Sequence, residues 1–167
     1  MTRAFVAIKP PESVLDAVEA FVGGLDLRAA KRTTRSQWHI TVQFLGNHAD
    51  VDAVIGALSG LQTRPSSIQL AGSGGVKTVV SLGAAPLDWL RSLAAEVEER
   101  LAPLGHELEY RRFRPHLTLA RGRRLPHVGD DPVGEPWLVE SLLVFESQTK
   151  PSGAVHIARA EIPLGNA

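Results

Sequence analysis

Two copies of one short strand pattern, 77 positions apart, constrain this chain more than anything else in it. The first is Trp38-His39-Ile40-Thr41-Val42-Gln43-Phe44-Leu45-Gly46, and the second is Arg114-Pro115-His116-Leu117-Thr118-Leu119-Ala120-Arg121. Each holds His-x-Thr followed by an apolar residue, and each alternates as an extended strand does. Side chains on a strand point to opposite faces with period two. The spacing therefore puts His39, Thr41 and Gln43 on one face, with Trp38, Ile40, Val42 and Phe44 on the other. In the second copy His116 and Thr118 share a face, with Leu117 and Leu119 opposite. One face of each strand suits a core, while the other presents an imidazole beside a hydroxyl. A fold that joins the two strands gathers two histidines and two threonines around one cleft.

The segments leading to the two copies follow one order. Ala4–Ile8 reads as a buried strand stopped by Pro10-Pro11. A helix follows, with Val14, Leu15, Val18, Phe21 and Val22 as its apolar stripe and Gly23-Gly24 as its end. Residues 28–35 carry Arg28, Lys31, Arg32 and Arg35 without an acid and read as a mobile basic loop before His39. Asp50 is placed to cap a second helix through Val51, Val54, Ile55, Leu58 and Leu61. Ile68–Leu70 and Val76–Leu82 read as a strand pair joined by Gly72-Ser73-Gly74-Gly75. A third helix runs from Pro86 to Leu101 on Leu87, Leu90, Leu93, Ala94, Val97 and Leu101. A strand near 106–110 leads to the second motif, 122–136 reads as irregular, and Leu138–Phe145 and Ala154–Ile162 close the chain. Each histidine thus follows a strand, a proline and a helix, 35 positions from the start of its strand in the first case and 40 in the second. That order suggests a duplication with pseudo-twofold symmetry.

With 167 residues, 44 % of them hydrophobic, and 18 basic against 18 acidic side chains, the chain belongs with globular proteins. We expect one domain of two lobes over 1–167. A balanced charge argues against coating long nucleic acid by bulk electrostatics and leaves room for a local phosphate site. The absence of cysteine removes disulfides, thiolate nucleophiles and Cys-based zinc sites. Arg3 is followed by only a short apolar run, and no stretch approaches the roughly 18 apolar residues of a membrane span. The expectation is a cytoplasmic monomer.

A pair of histidines suits the opening of a phosphodiester. One neutral imidazole takes a proton from the attacking oxygen while the other, protonated, gives one to the departing oxygen. Histidine titrates at about 6.5, so both forms are accessible near neutrality. A threonine two positions along the same face is placed to donate to a non-bridging phosphate oxygen. Six arginines lie within 14 residues around the second motif: Arg111, Arg112, Arg114, Arg121, Arg123 and Arg124. Arg114 and Arg121 are the candidate phosphate ligands, although Arg121 reaches the cleft only if the strand bends or bulges after Thr118. Trp38, Phe44 and Phe113 are able to stack a base, with core packing the competing use of Trp38 and Phe44. Zinc is the rival use of two histidines, but it needs a third ligand and no acid lies beside either motif. His48, His106, His127 and His156 lack the motif and read as surface or turn residues. No Gly-x-x-x-x-Gly-Lys loop is present.

On these residues the sequence resembles the 2H phosphoesterase superfamily, and within it the RNA 2′,3′-cyclic phosphodiesterases, also named 2′-5′ RNA ligases. The resemblance runs from Phe5-Val6-Ala7-Ile8 through both motifs to the closing strand before Pro163-Leu164. It implies a bilobal α+β fold in which two antiparallel sheets related by pseudo-twofold symmetry form a central cleft, with helices packed outside. It implies His39 as proton donor and His116 as proton acceptor, with Thr41 and Thr118 beside them; the near-symmetric motifs do not assign those roles themselves. It further implies an RNA or nucleotide 2′,3′-cyclic phosphate as substrate, a 2′-phosphomonoester as product, and no metal or other cofactor. Gln43, where relatives often carry an apolar or basic residue, and Phe44 are the remaining candidate substrate contacts. Ligation of RNA ends by the reverse reaction and non-catalytic binding of RNA ends are the alternatives.

Overall fold

The computed structural model describes residues 2–47, 49–72, 78–106 and 113–165. Its elements in chain order are β1 (Thr2–Ile8), α1 (Glu12–Gly23), β2 (Ala30–Arg32), β3 (Ile40–Asn47), α2 (Val51–Leu58), β4 (Ser66–Gly72), β5 (Val79–Ala85), α3 (Leu87–Leu101), β6 (His116–Gly122), β7 (Pro132–Val139), β8 (Ser141–Lys150) and β9 (Gly153–Pro163). Two antiparallel sheets result, one ordered β3-β1-β8-β9 and the other β2-β6-β5-β4-β7. In each, the first strand of one half is flanked by its own His-x-Thr strand and by a strand from the other half: β3-β1-β8 answers β6-β5-β4. The halves therefore exchange strands about the pseudo-twofold axis, and the fold is the bilobal α+β arrangement expected.

The helices form where the apolar spacing predicts them. α1 buries Val14, Leu15, Val18 and Val22, and the Asp50 carboxylate caps α2 by accepting from the Ala53 N–H at 3.1 Å. α3 buries Leu90, Leu93, Val97 and Leu101, whereas Leu87, at its first position, is exposed. These stripes meet Ala4, Val6 and Ile8 of β1, Leu82 of β5, Leu117 and Leu119 of β6, and Leu142 and Val144 of β8 in one core. Each fully buried Leu or Ile there contributes about 1.5–3 kcal/mol. α1 lies directly on β7, where a Cβ at Gly134 (φ +74) would stand 3.2 Å from the Ala17 methyl.

Several boundaries differ from the sequence expectation. Residues 28–35 are not a free basic loop: β2 pairs with β6, and a 3₁₀ turn spans Arg35–Gln37. Arg35 is held by Glu12, Asp16 and Glu19 of α1 at 2.6–2.7 Å, so its acids come from another element. The segment 122–136 contains the start of β7, and Leu138–Phe145 is divided between β7 and β8 at Glu140. The second strand of the central pair is Val79–Ala85, three residues beyond the expected Val76–Leu82. The Ser73–Gly75 part of the hairpin, most of the expected strand near 106–110, and His48 lie outside the described residues.

Candidate active site

The two histidines are mounted alike. His39 Nδ1 donates to the Gln37 carbonyl at 2.6 Å, and His116 Nδ1 donates to the Arg114 carbonyl at 2.8 Å. Each ring is thus tied to the backbone two residues before it, which fixes the tautomer and leaves Nε2 for chemistry. The Thr41 hydroxyl donates to His39 Nε2 at 2.8 Å. β3 and β6 lie close together, near enough for the two imidazoles to interact electrostatically. His116 and Thr118 stand opposite Gly83 and Ser81 of β5.

His39 lies against the rings of Phe5 and Phe145, which cluster with Ala7 in a small apolar patch. Its ring stacks on Phe5 with centroids 4.6 Å apart. Burial drives its pKa down to about 4; the Gln37 carbonyl opposes the shift, while His156, Lys9 and His116 add to it by repelling an imidazolium. Lys9 itself is held over the approach to the first motif, where Nζ donates to the Trp38 carbonyl at 3.0 Å and lies 3.4 Å from that of Ser36.

Period two fails within β3. Ala7 stands opposite Thr41, Val6 opposite Gln43 and Phe5 opposite Phe44, with register breaks that pass over Val42 and Leu45. A bulge of this kind sends the residues beyond it to the other face. Gln43 is therefore buried on the core side, beside a hollow lined by Val42, Arg91, Ala94, Ala95, Glu98 and Phe113. This corrects its placement in the cleft. Phe44 moves the opposite way: it is 64 % exposed, and its ring lies 6.1 Å from Phe5, on which His39 stacks. Trp38 does pack in the core.

β6 meets the condition set for Arg121. Thr118 pairs with Ser81 and Ala120 with Val80, so Leu119 is the extra residue. Leu119 and Ala120 are both buried, and Arg121 returns, exposed, to the face of His116 and Thr118. Arg114 is exposed just before the strand.

His156 is the residue that sequence reasoning missed. It lies on β9, opposite Ser147, and its ring stands edge-on to His39 at 5.3 Å and to Phe5 at 5.1 Å. Its Nδ1 is buried with no hydrogen-bond partner among the described residues, and burial, then Lys9, lowers its pKa. The signal was there in the parity of the closing strand, which puts His156 between Ala154 and Ala158 on a face of small residues. His127, by contrast, is an exposed turn residue whose Nδ1 accepts from the Gly129 N–H.

Two histidines mounted alike, each with a threonine two positions along its strand, thus recur in the two halves of one fold, with Arg114 and Arg121 exposed beside the second. The sequence pattern of the 2′-5′ RNA ligase superfamily matches residues 10–141, and the chain belongs to that family. It is 26 % identical to the RNA 2′,3′-cyclic phosphodiesterase of Methanocaldococcus jannaschii, over 92 % of this chain and 96 % of that one. The crystal structure of a Thermus thermophilus protein is 29 % identical, covers 98 % of both chains and superposes with a TM-score of 0.77. Escherichia coli LigT, solved with 3′-AMP bound, shares the fold at a TM-score of 0.86 and 20 % identity, covering 99 % of both chains. Among the described residues no helix is long and apolar enough to cross a membrane.

Proposed function

We propose that this protein hydrolyses 2′,3′-cyclic phosphates at RNA ends or on nucleotides to 2′-phosphomonoesters, using its two histidines and no metal. The observation that carries the reading is the matched mounting of His39 and His116, each with Nδ1 donating to the carbonyl two residues back. Thr118, and Thr41 once His39 carries its proton, donate to the non-bridging phosphate oxygens, with Arg114 and Arg121 adding positive charge along the cleft and Phe44 offering its exposed ring to the base. A water oxygen attacks phosphorus as His116 Nε2 takes its proton. The bond from phosphorus to O3′ breaks, and His39 Nε2 delivers a proton to O3′, leaving phosphate on O2′. Burial keeps His39 neutral in the free protein, so the proton it donates is taken up with the anionic substrate, whose charge favours the imidazolium. Such proton transfers contribute about 10²–10⁴-fold each.

The family's name supplies a second reading, ligation, in which a 5′-hydroxyl replaces water as nucleophile on the cyclic phosphate, the bond from phosphorus to O3′ breaks as before, and a 2′-5′ linkage forms. The deciding experiment is hydrolysis of a short RNA ending in 2′,3′-cyclic phosphate, with EDTA present, by wild type, His39→Ala and His116→Ala. Conversion to a 2′-phosphate by wild type alone supports the proposal. An inert wild type that still binds the RNA points to an end-binding module, and activity abolished by EDTA points to a metal.

A further inference from the structure

We propose that Lys31 and Arg121 form a second phosphate site, which takes an internal phosphodiester of an RNA strand whose cyclic end lies between the two histidines. The inference rests on the hydrolase reading above and extends it: the preferred substrate is an oligonucleotide and not a mononucleotide.

The placement follows from strand register. Val79, Ser81 and Gly83 share one face of β5, and they stand opposite Arg121, Thr118 and His116 respectively. Lys31 of β2 stands opposite Arg121 on the other side of β6. Directly opposed residues on neighbouring antiparallel strands project from the same face. Lys31 and Arg121 are therefore side by side on the catalytic face, four residues of β5 from the His116 level. That is about 13 Å at ~3.3 Å per residue, which places the lysine beside a different phosphate from the one being cleaved.

Their charge is uncompensated. Like charges directly opposed across a ladder destabilise it, and among the described residues neither side chain has an acidic partner. The contrast with their neighbours is sharp, since Arg28 is bound by Asp26 and Arg35 by three acids. An edge-strand lysine also serves to deter strand addition, but β2 is only three residues long and blunt for that reason alone. An opposed, unpaired lysine and arginine continuing the face of a phosphate cleft is an arrangement that a second phosphate relieves.

The test compares a cyclic mononucleotide with an RNA trinucleotide ending in 2′,3′-cyclic phosphate, for wild type, Lys31→Gln and Lys31→Arg. Loss of one charge-assisted contact implies a roughly fivefold to tenfold rise in KM for the trinucleotide with Lys31→Gln. The mononucleotide should be unaffected, and Lys31→Arg should restore most of the loss. The slope of log affinity against log salt for the trinucleotide should shrink by about 0.7. Equal losses on both substrates, or none on either, overturn the proposal. If wild type turns over neither substrate, the hydrolase reading has failed, and fluorescence anisotropy with a labelled trinucleotide carrying a 2′-phosphate decides the site by itself. Equal binding by wild type and Lys31→Gln then overturns it, and weaker binding by the variant sustains it.

Discussion

The Thr33 hydroxyl donates to the backbone carbonyl of Thr118 at 2.8 Å, joining the approach to the first motif to the strand of the second. The same oxygen accepts the Trp38 indole N–H at 3.0 Å, and the Thr33 N–H donates to the Leu119 carbonyl at 2.9 Å. One residue before His39, and within the bulge that redirects Arg121, the two halves of the site are thus fastened to each other. Thr33→Val preserves the shape but leaves the indole N–H without its acceptor. We expect a stability loss of about 1–3 kcal/mol and, because the imidazoles lose their mutual register, a fall in kcat on the order of tenfold. Urea unfolding and steady-state kinetics on a cyclic-phosphate substrate check both. Unchanged kcat in a destabilised protein would show that the strap serves folding alone.

Replacing His39 or His116 by alanine should remove about 10²–10⁴-fold of kcat each. The two losses should not add, because the proposed mechanism joins both residues in one transfer. Thr41→Ala and Thr118→Ala should cost less, since each removes one neutral donor to phosphate. Circular dichroism on every variant separates lost chemistry from lost folding; a threonine variant that unfolds would make that residue structural.

The proposed reaction requires one neutral and one protonated imidazole, so kcat/KM should be bell-shaped in pH. Its acid limb belongs to His39, which titrates at about 4. The rate should therefore rise with pH through that region, whichever histidine is the acid, because both assignments give the same product of protonation fractions. His156→Ala admits water beside His39 and removes a repelling charge, which should move the limb and the His39 proton resonance upward, toward about 6.5. A limb that stays in place would mean that His156 does not tune His39.

Stability should carry the same signature. His39 takes up its proton at about 4 when folded and near 6.5 when unfolded. Between those values the unfolded chain binds more protons, so stability rises with pH across the window and is lost as pH falls from about 6.5 to about 4. The amount due to His39 is about 3 kcal/mol. Urea midpoints at pH 7 and pH 4.5 should therefore differ less in His39→Gln than in wild type, and an identical difference would place the linkage elsewhere.

The parts of this site that were legible in the sequence are those fixed by local pattern. The His-x-Thr pairs, the helix stripes and the Asp50 cap each depend on residues within a turn or two of one another. The parts that were not legible depend on pairing across the sheets. Gln43 and Phe44 exchange faces because Val42 has no partner on β1, which no spacing within β3 reveals. His156 belongs to the site only because β9 lies beside β8, which in turn lies beside β1. The acids that hold Arg35 come from a helix on the far side of a loop, so a charge count over 28–35 alone misreads it as free. Arg121 shows the intermediate case, where parity named the bulge that the structure then supplies at Leu119.

That exchange of faces yields a paired prediction. Gln43 lies 5 % exposed against the core, so Gln43→Leu should leave KM for a cyclic nucleotide unchanged and alter stability by under about 1.5 kcal/mol, as near-isosteric core changes do. Phe44, projecting beside Phe5, should behave in the opposite way. Phe44→Ala removes a stacking surface worth about 1–3 kcal/mol per base, which is a rise in KM of roughly fivefold or more, with stability nearly unaffected because the ring is mostly in solvent. A substrate analogue without a base distinguishes stacking from a general disturbance of the cleft. Wild type and Phe44→Ala should process that analogue equally well; if the variant is impaired on it to the same degree, Phe44 supports the cleft and does not read the base.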